Sequence, residues 1–240
     1  MSVVVAVRDE DKIWLATDSQ VTAGWTKSLL LSQHSFKIFK GRNKVNIGGV
    51  GSLRDLNIIS TSDVDFISEN DILKNNVNFK NMVRETVPKF FAELQKFNRV
   101  YSDHGMLFME SSFIIAHGDS CYAISSDGCV QELYDMFAIG SGAEMAESAY
   151  TILRDVELSP KDKAIRAVMS SCERDIFVDY PIVITNTLMD NFEVFDGQNL
   201  YEIHDGIIED VPDDLEEATE EEEDKDDVKD SPEGEQAIKS

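Results

Sequence analysis

Between residues 2 and 203 the hydrophobic pattern changes period four times, alternating between strand-like runs and stretches of helical spacing. A chain ordered β, α, β, α, β in this way has to bury sheets against helices. Residues 2–7 are rich in β-branched valine and are followed by the polar turn Asp9-Glu10-Asp11, after which Ile13-Trp14-Leu15-Ala16 resumes an apolar run, so the chain opens on a β-hairpin. A loop carrying Gly24, Trp25 and Thr26 leads to the short stretch Phe36-Lys37-Ile38-Phe39 and to a strand over residues 44–50 that ends in a glycine cluster. These four strands are expected to form one continuous antiparallel system. From Ser52 onward Leu53, Leu56 and Ile59 suit a helix, and a second helical stretch covers residues 79–97, kinked or restarted at Pro88.

Strand signals return over residues 106–117, 120–125 and 132–139, punctuated by Gly118-Asp119 and Asp127-Gly128, and are expected to form a second sheet. Two further helices are predicted over residues 143–156 and 161–177, the latter introduced by Ser159-Pro160 as N-cap and first-turn proline. Strands over 182–188 and 192–203 close the pattern. The fold class expected is α+β, a four-layer αββα sandwich of two antiparallel sheets flanked by helices.

Charge divides the chain. The net charge is −24, and residues 209–240 alone hold 16 acidic residues against three lysines. The remainder is only moderately acidic. Residues 1–206 are therefore expected to form the folded domain, and residues 207–240 an acidic, disordered tail with too little apolar content for a core. A solubilising role for that tail is the simpler expectation, and an autoinhibitory or partner-docking one the alternative. So acidic a surface repels nucleic-acid phosphates and anionic membranes, so neither is expected as a partner. Cys121, Cys129 and Cys172 are odd in number and form no CxxC pair, which suggests neither a disulfide framework nor a cysteine zinc site and fits a reducing cytoplasm. No basic and apolar leader precedes the first strand, and no apolar run reaches the roughly 18 residues of a membrane helix, so a soluble, untargeted protein is expected.

Several chemistries lack their motifs. There is no GxxxxGK[ST] phosphate loop, no HExxH helix and no GxSxG elbow, so the chain itself is not expected to hydrolyse ATP. Gly140-Ser141-Gly142 is half of a dinucleotide fingerprint, but Met145 stands where the third glycine belongs. His34, His104, His117 and His204 show no metal-ligand spacing, and neither a metal nor a cofactor is expected. What remains is a nucleophile that needs no neighbour in sequence. Removal of Met1, usual before a small residue, would leave Ser2 with its hydroxyl beside a free α-amine. An unperturbed α-amine has a pKa of about 7.7–8.0, low enough to act as the base without a histidine. A nearby permanent cation would lower it further. Taken alone, Ser2 is more simply an ordinary second residue.

Its context is informative. Ser2-Val3-Val4-Val5-Ala6-Val7 followed by Leu15-Ala16-Thr17-Asp18-Ser19-Gln20 resembles the opening hairpin of proteasome β subunits and HslV-type peptidases, members of the N-terminal nucleophile (Ntn) hydrolases. Phe36-Lys37-Ile38 resembles the strand bearing that family's lysine, with a spacing from Asp18 a few residues longer, consistent with an insertion around residues 27–33. The run from Ile47 through Gly48, Gly49, Val50, Gly51 and Ser52 to Asp55 resembles the glycine-rich strand-to-helix turn and its helix aspartate. Ala138-Ile139-Gly140-Ser141-Gly142 is similar to the IGSG element, and Arg174-Asp175 to the family's RD pair. Five elements match in order across residues 2–188.

The resemblance implies a mechanism. Ser2 would be the nucleophile and its α-amine the base. Asp18 would hold Lys37, whose charge favours the deprotonated amine; the Gly51 N–H would bind the oxyanion; Ser141 with Asp175 would orient the amine. Val21, Thr22, Ser35 and Gly49 would border substrate, in a roomy and mostly apolar pocket. The implied assembly is a homo-oligomeric ring enclosing a polypeptide substrate, served by a separate AAA+ ATPase unfoldase. Two departures stand out: Val178 replaces the serine usual three residues after the RD aspartate, and Ser replaces Thr at the nucleophile, removing a methyl that restricts χ1. Element by element, plainer readings are open, with Asp18 and Gly51 as turn residues, Lys37 as a strand-edge charge and Ser141 as a helix N-cap. At the level of function, a catalytically inactive ring or scaffold subunit and an Ntn amidohydrolase acting on a small amide are the alternatives.

Overall fold

The structure, a computed structural model, describes residues 2–74, 76–204 and 207–210. The opening hairpin pairs β1 (Val3–Asp9) with β2 (Lys12–Asp18), Val4 lying opposite Thr17 and Arg8 opposite Ile13. A second, smaller hairpin follows, β3 (Gln20–Ala23) with β4 (Thr26–Leu29), and then β5 (Ile38–Lys40) and β6 (Asn46–Val50). Helices α1 (Leu53–Ser60), α2 (Glu69–Leu73), α3 (Phe79–Asn81) and α4 (Val87–Gln95) come next. Strands β7 (Val100–Asp103), β8 (Met106–Met109), β9 (Ser112–His117), β10 (Ser120–Ile124), β11 (Val130–Glu132) and β12 (Met136–Gly140) lead to α5 (Ala143–Leu153) and α6 (Pro160–Cys172). The chain closes on β13 (Ile182–Asn186), β14 (Phe192–Phe195), β15 (Leu200–His204) and β16 (Ile207–Asp210).

The strands form a seven-stranded sheet in the order β12-β1-β2-β13-β14-β15-β16 and a five-stranded sheet in the order β11-β10-β9-β6-β5, antiparallel throughout. Pairs β3–β4 and β7–β8 stand apart as hairpins. Three apolar layers hold the sandwich together. Val4, Ala6, Ile13 and Leu15 of one sheet meet Ile38, Ile114, Ala116 and Cys121 of the other. Val3, Val5 and Val7, on the opposite face of β1, pack with Ala146 and Tyr150 of α5 and with Ala164 and Val168 of α6. Ile47, Phe113 and Ile115 pack outward against Leu56 and Ile59 of α1 and Phe90 and Leu94 of α4. The valine run at the amino end thus serves two cores at once, alternate residues facing the partner sheet and the helices. Full burial of each such side chain stabilises the fold by roughly 1.5–3 kcal/mol.

The αββα architecture expected from the period switches is the one observed. Two groupings of strands differ. Strands β1–β2 and β5–β6 belong to different sheets rather than one continuous system, because residues 20–35 carry the chain across the sandwich. Nor do residues 106–139 make a sheet of their own: β8 pairs with β7, β9–β11 extend the sheet begun by β5 and β6, and β12 returns to β1. Hydrophobic runs specify strands but not partners, and the partners are set by which faces must be covered. Pro88 marks the restart expected there. A π-type turn over Met82–Thr86 widens the backbone just before it, and α4 begins with Pro88 in its first turn, where the missing N–H is harmless. Ser159 caps α6 as expected, its hydroxyl accepting the Asp162 N–H at 3.0 Å, but the helix stops at Cys172 rather than 177. Strand β16 lies beyond the domain boundary expected at 206, and residues 211–240, on which the disordered-tail expectation rests, lie outside the described residues. Among the described residues no helix is long and apolar enough to cross a membrane.

Candidate active site

The register of β1 on β2 sets Asp18 just beyond Thr17, beside the amino end of β1. One carboxylate oxygen of Asp18 accepts the Val3 N–H at 2.9 Å. The other accepts the Gln20 N–H at 3.1 Å and the Lys37 ammonium at 2.7 Å. Lys37 also donates to the Gln20 carbonyl at 2.5 Å. Asp18 is fully buried and Lys37 only 3% exposed, so this pair bridges the two sheets immediately behind the first residue of the first strand. A buried carboxylate that accepts three donors, beside a buried ammonium with two acceptors, meets the condition under which such a pair is tolerable. Burial pushes the Lys37 ammonium below the ordinary lysine range, opposed by Asp18. Burial likewise pushes Asp18 upward, opposed by Lys37 and by the Val3 and Gln20 N–H groups. The strand-edge reading of Lys37 therefore fails, and Asp18 is not a solvated turn residue.

Ser2 is 5% exposed. Its carbonyl is packed by the glycine element of β12, where Gly140 sits at φ +102° and a Cβ would run into the Ser2 carbonyl oxygen. Val50 is on the other side, its Cγ1 3.1 Å from that hypothetical Cβ, so the end of β6 lies close to the start of β1. Gly142 donates its N–H to the Ser2 carbonyl at 3.4 Å, and its own carbonyl accepts from Ser171 Oγ of α6 at 2.8 Å. Thr17 Oγ1 donates to the Val3 carbonyl at 2.7 Å. The backbone of residues 2 and 3 is thus held from several directions.

Gly51 follows β6 at φ +114°, a conformation side chains avoid, and a Cβ there would lie 2.5 Å from the Glu110 carbonyl oxygen. Its N–H donates no hydrogen bond among the described residues. The expected oxyanion donor therefore sits at the end of the strand that abuts Ser2 through Val50 and Gly140.

The structure does not join every expected residue by direct contact. Ser141 is exposed in the turn before α5; the N-cap of that helix is Gly142, not Ser141. The Asp175 carboxylate accepts the Phe177 N–H at 3.0 Å, and among the described residues it makes no hydrogen bond with Ser141. Val178 is 2% exposed and packs in the helix-side core, filling apolar space where the resemblance expects a hydroxyl. Of the substrate-bordering candidates, Val21 and Thr22 are half-buried on β3, with Thr22 Oγ1 accepting from Gln20 Nε2 at 3.1 Å. Ser35 donates to the Ser32 carbonyl at 2.9 Å. Gly49 is buried, and a Cβ there would point at Leu56 and Phe113, so only its backbone could meet a substrate. A groove of about 440 Å³ lies elsewhere, along α6 between Lys161, Ile165, Met169, Phe195 and Leu200.

Sequence reading passed over Thr17, Gln20 and Ser111. Gln20 is 3% exposed; its backbone closes the Asp18–Lys37 pair and its amide donates to the Ile176 carbonyl at 3.0 Å, tying β3 to the Asp175 loop. Its position directly after Thr17-Asp18-Ser19 was the available signal. For Ser111, which lies under the Gly51 turn, adjacency in sequence offered none.

Comparison with known proteins identifies the family and the fold. Residues 2–185 match the family model described as Proteasome subunit. Among solved structures, BPH from Thiobacillus denitrificans superposes with a TM-score of 0.59 at 18% identity, covering 77% of this chain and 96% of that one. HslV from Trypanosoma brucei gives 0.53 at 23%, covering 77% and 98%. The Anbu (Gly-1) mutant from Hyphomicrobium sp. strain MC1 gives 0.56 at 15%, covering 82% and 88%. These three share the fold, and the match over residues 2–185 shows that the chain belongs to the proteasome subunit family.

Proposed function

We propose that this chain is an N-terminal-serine peptidase of the proteasome and HslV type, active once Met1, which lies outside the described residues, has been removed. The observation that carries the reading is the buried Lys37–Asp18 pair bonded to the Val3 N–H, one peptide unit from Ser2. A lysine that is buried, charged and bonded to a carboxylate has little purpose in stability alone, since an apolar pair of similar volume would serve as well or better. Beside an α-amine it does have one, because its charge disfavours the ammonium and keeps the amine available as a base.

In this mechanism Ser2 Oγ attacks the scissile carbonyl carbon while its proton passes to the α-amine. The carbonyl π electrons move onto oxygen, where the Gly51 N–H stabilises the charge, a contribution of about 2.7–4 kcal/mol for one such donor. Collapse of the tetrahedral intermediate breaks the C–N bond, and the ammonium returns the proton to the leaving amine. Water then adds to the Ser2 ester with the amine again as base, releasing the acid and regenerating the hydroxyl. Ser141 and Asp175 orient the amine in this proposal, through the Asp175 loop that Gln20 ties to β3.

An unguarded site of this kind would threaten any exposed polypeptide, so the proposal includes a homo-oligomeric ring around an enclosed chamber. Without a phosphate loop in the chain, delivery of folded substrates falls to a separate AAA+ ATPase. Substrates border on Val21, Thr22, Ser35 and the Gly49 backbone. The BPH of Thiobacillus denitrificans has a structure in complex with epoxomicin, which makes epoxomicin a direct probe here. The test combines intact mass, epoxomicin modification and peptide hydrolysis for the native chain and for Ser2→Ala. Loss of Met1 is expected in both proteins, and modification and hydrolysis in the native chain alone. Retained Met1, or hydrolysis undiminished in Ser2→Ala, defeats the reading. Two observations favour a second reading, a catalytically inactive subunit: Val178 fills the place of the family's serine, and the Asp175 carboxylate is engaged by Phe177. Loss of Met1 with neither modification nor hydrolysis would favour it.

A further inference from the structure

Beneath the Gly51 turn lies a closed polar circuit that the mechanism above does not use. Asp55, in the first turn of α1, is fully buried. Its Oδ1 accepts from Arg99 Nε at 2.5 Å and its Oδ2 accepts from Ser111 Oγ at 2.9 Å. Ser111 Oγ in turn accepts the Ser52 N–H at 3.1 Å. Arg99 Nη2 donates to Ser52 Oγ at 2.9 Å and to Glu110, whose carbonyl lies against Gly51. The circuit meets the turn at Ser52, through its N–H bonded to Ser111 Oγ and its hydroxyl bonded to Arg99, while the other links run between the side chains of Asp55, Arg99, Ser111 and Glu110. Arg99 reaches in from the loop between α4 and β7, and Ser111 from the start of β9, so three separate segments converge on one turn.

We propose that Asp55, Ser111 and Arg99 are positioning residues for the oxyanion donor, holding the Gly51–Ser52 turn so that the Gly51 N–H stays aimed at the reacting carbonyl. This rests on the peptidase reading. A carboxylate in the first turn favours the amino end of α1 in any case, but that role requires neither full burial nor completion by partners from two distant segments, which is what Asp55 has. A rigid, preorganised donor is what oxyanion stabilisation requires, because a donor that must reorganise during the reaction loses most of its effect. The Ser52 N–H is the next amide after the catalytic one. With Ser111 Oγ fixing the Ser52 N–H and Arg99 fixing the Ser52 hydroxyl, the Gly51–Ser52 peptide unit has little freedom to rotate.

The test is acylation of the full-length protein by a β-lactone, which passes through the same oxyanion, measured as kinact and KI per titrated site in native protein, Ser111→Ala, Ser111→Thr and Arg99→Lys. In Ser111→Ala the Ser52 N–H and Asp55 Oδ2 both lose their partner, and kinact should fall about 10- to 100-fold with KI unchanged. Its pH dependence should keep the native midpoint, because Lys37 and Asp18 are untouched. Ser111→Thr retains the hydroxyl and should recover most of the rate. Arg99→Lys keeps a cation for Asp55 but not the fork to Ser52, so an intermediate loss is expected; it carries the test should Ser111→Ala fail to fold. A purely structural circuit would lower melting temperature and the number of titratable sites while leaving kinact per site at the native value, and that result overturns the proposal. Native protein that is not acylated at Ser2 overturns the peptidase reading, and this proposal with it.

Discussion

Replacing Lys37 by Met removes the ammonium while keeping an unbranched stem of similar volume. Asp18 is then left as a fully buried carboxylate with only the Val3 and Gln20 N–H groups, at 2.9 and 3.1 Å, and the Gln20 carbonyl loses a donor as well. Removing one partner of a buried ion pair costs about 3–5 kcal/mol. For a domain of this size each kcal/mol shifts the melting temperature by roughly 2–4 °C, so the drop should be about 6–20 °C. The double variant Asp18→Asn with Lys37→Met leaves no uncompensated charge and should recover at least about 2 kcal/mol of the loss, since removing both charges of such a pair is often close to neutral. Thermal and denaturant unfolding of all four proteins at one protein concentration closes the cycle. Peptidase activity should be lost in both Lys37 variants, so that stability recovers without function. A single variant within about 1 kcal/mol of the native protein, or a double variant as unstable as the sum of its parts, would refute the inference that the pair is mutually dependent.

Activity per site should describe a bell against pH. It should rise with a midpoint at or below about 7.7–8.0 as the amine loses its proton, because the Lys37 charge disfavours the ammonium, and fall again below the ordinary lysine value of about 10.4, because burial lowers the Lys37 pKa; an alkaline limb unchanged by Lys37→Arg would contradict this. Ser2→Thr should raise kcat roughly 2- to 10-fold by confining χ1, with KM unchanged, and a slower threonine enzyme would show that the site has no room for the methyl. Gly140→Ala forces a Cβ into the Ser2 carbonyl and should reduce lactone acylation on the order of 10²-fold while leaving secondary structure by circular dichroism intact; native rates would show that the IGSG element does not set the Ser2 backbone.

The layer order was legible in the sequence because it depends on period alone: valines at the amino end, helical spacing at Leu53-Leu56-Ile59 and a proline-led helix after Ser159 each report a local preference. Strand pairing was not, since the run at 106–117 reads the same whether it divides between a hairpin and a sheet or stays whole, and only the turn geometry near Glu110 and Ser111 divides it. At the site, Asp18 and Lys37 were identifiable as family positions and expected as a pair, and the structure adds their burial and the 2.7 Å bond between them. The partners that make the pair tolerable are backbone groups of Val3 and Gln20, which carry no sequence signature. The Asp55 circuit is hidden for a related reason: Arg99 and Ser111 sit 44 and 56 positions away from the aspartate they bind. Their convergence is a property of the sandwich, not of any motif.

The central claim is that Ser2, freed of Met1, is the nucleophile. It is tested most directly by exposing the purified full-length protein to a β-lactone and mapping the adduct by peptide mass spectrometry. An ester confined to Ser2 at a new amino terminus, lost in Ser2→Ala, is expected. Retention of Met1, or an adduct elsewhere that persists in Ser2→Ala, would contradict the claim.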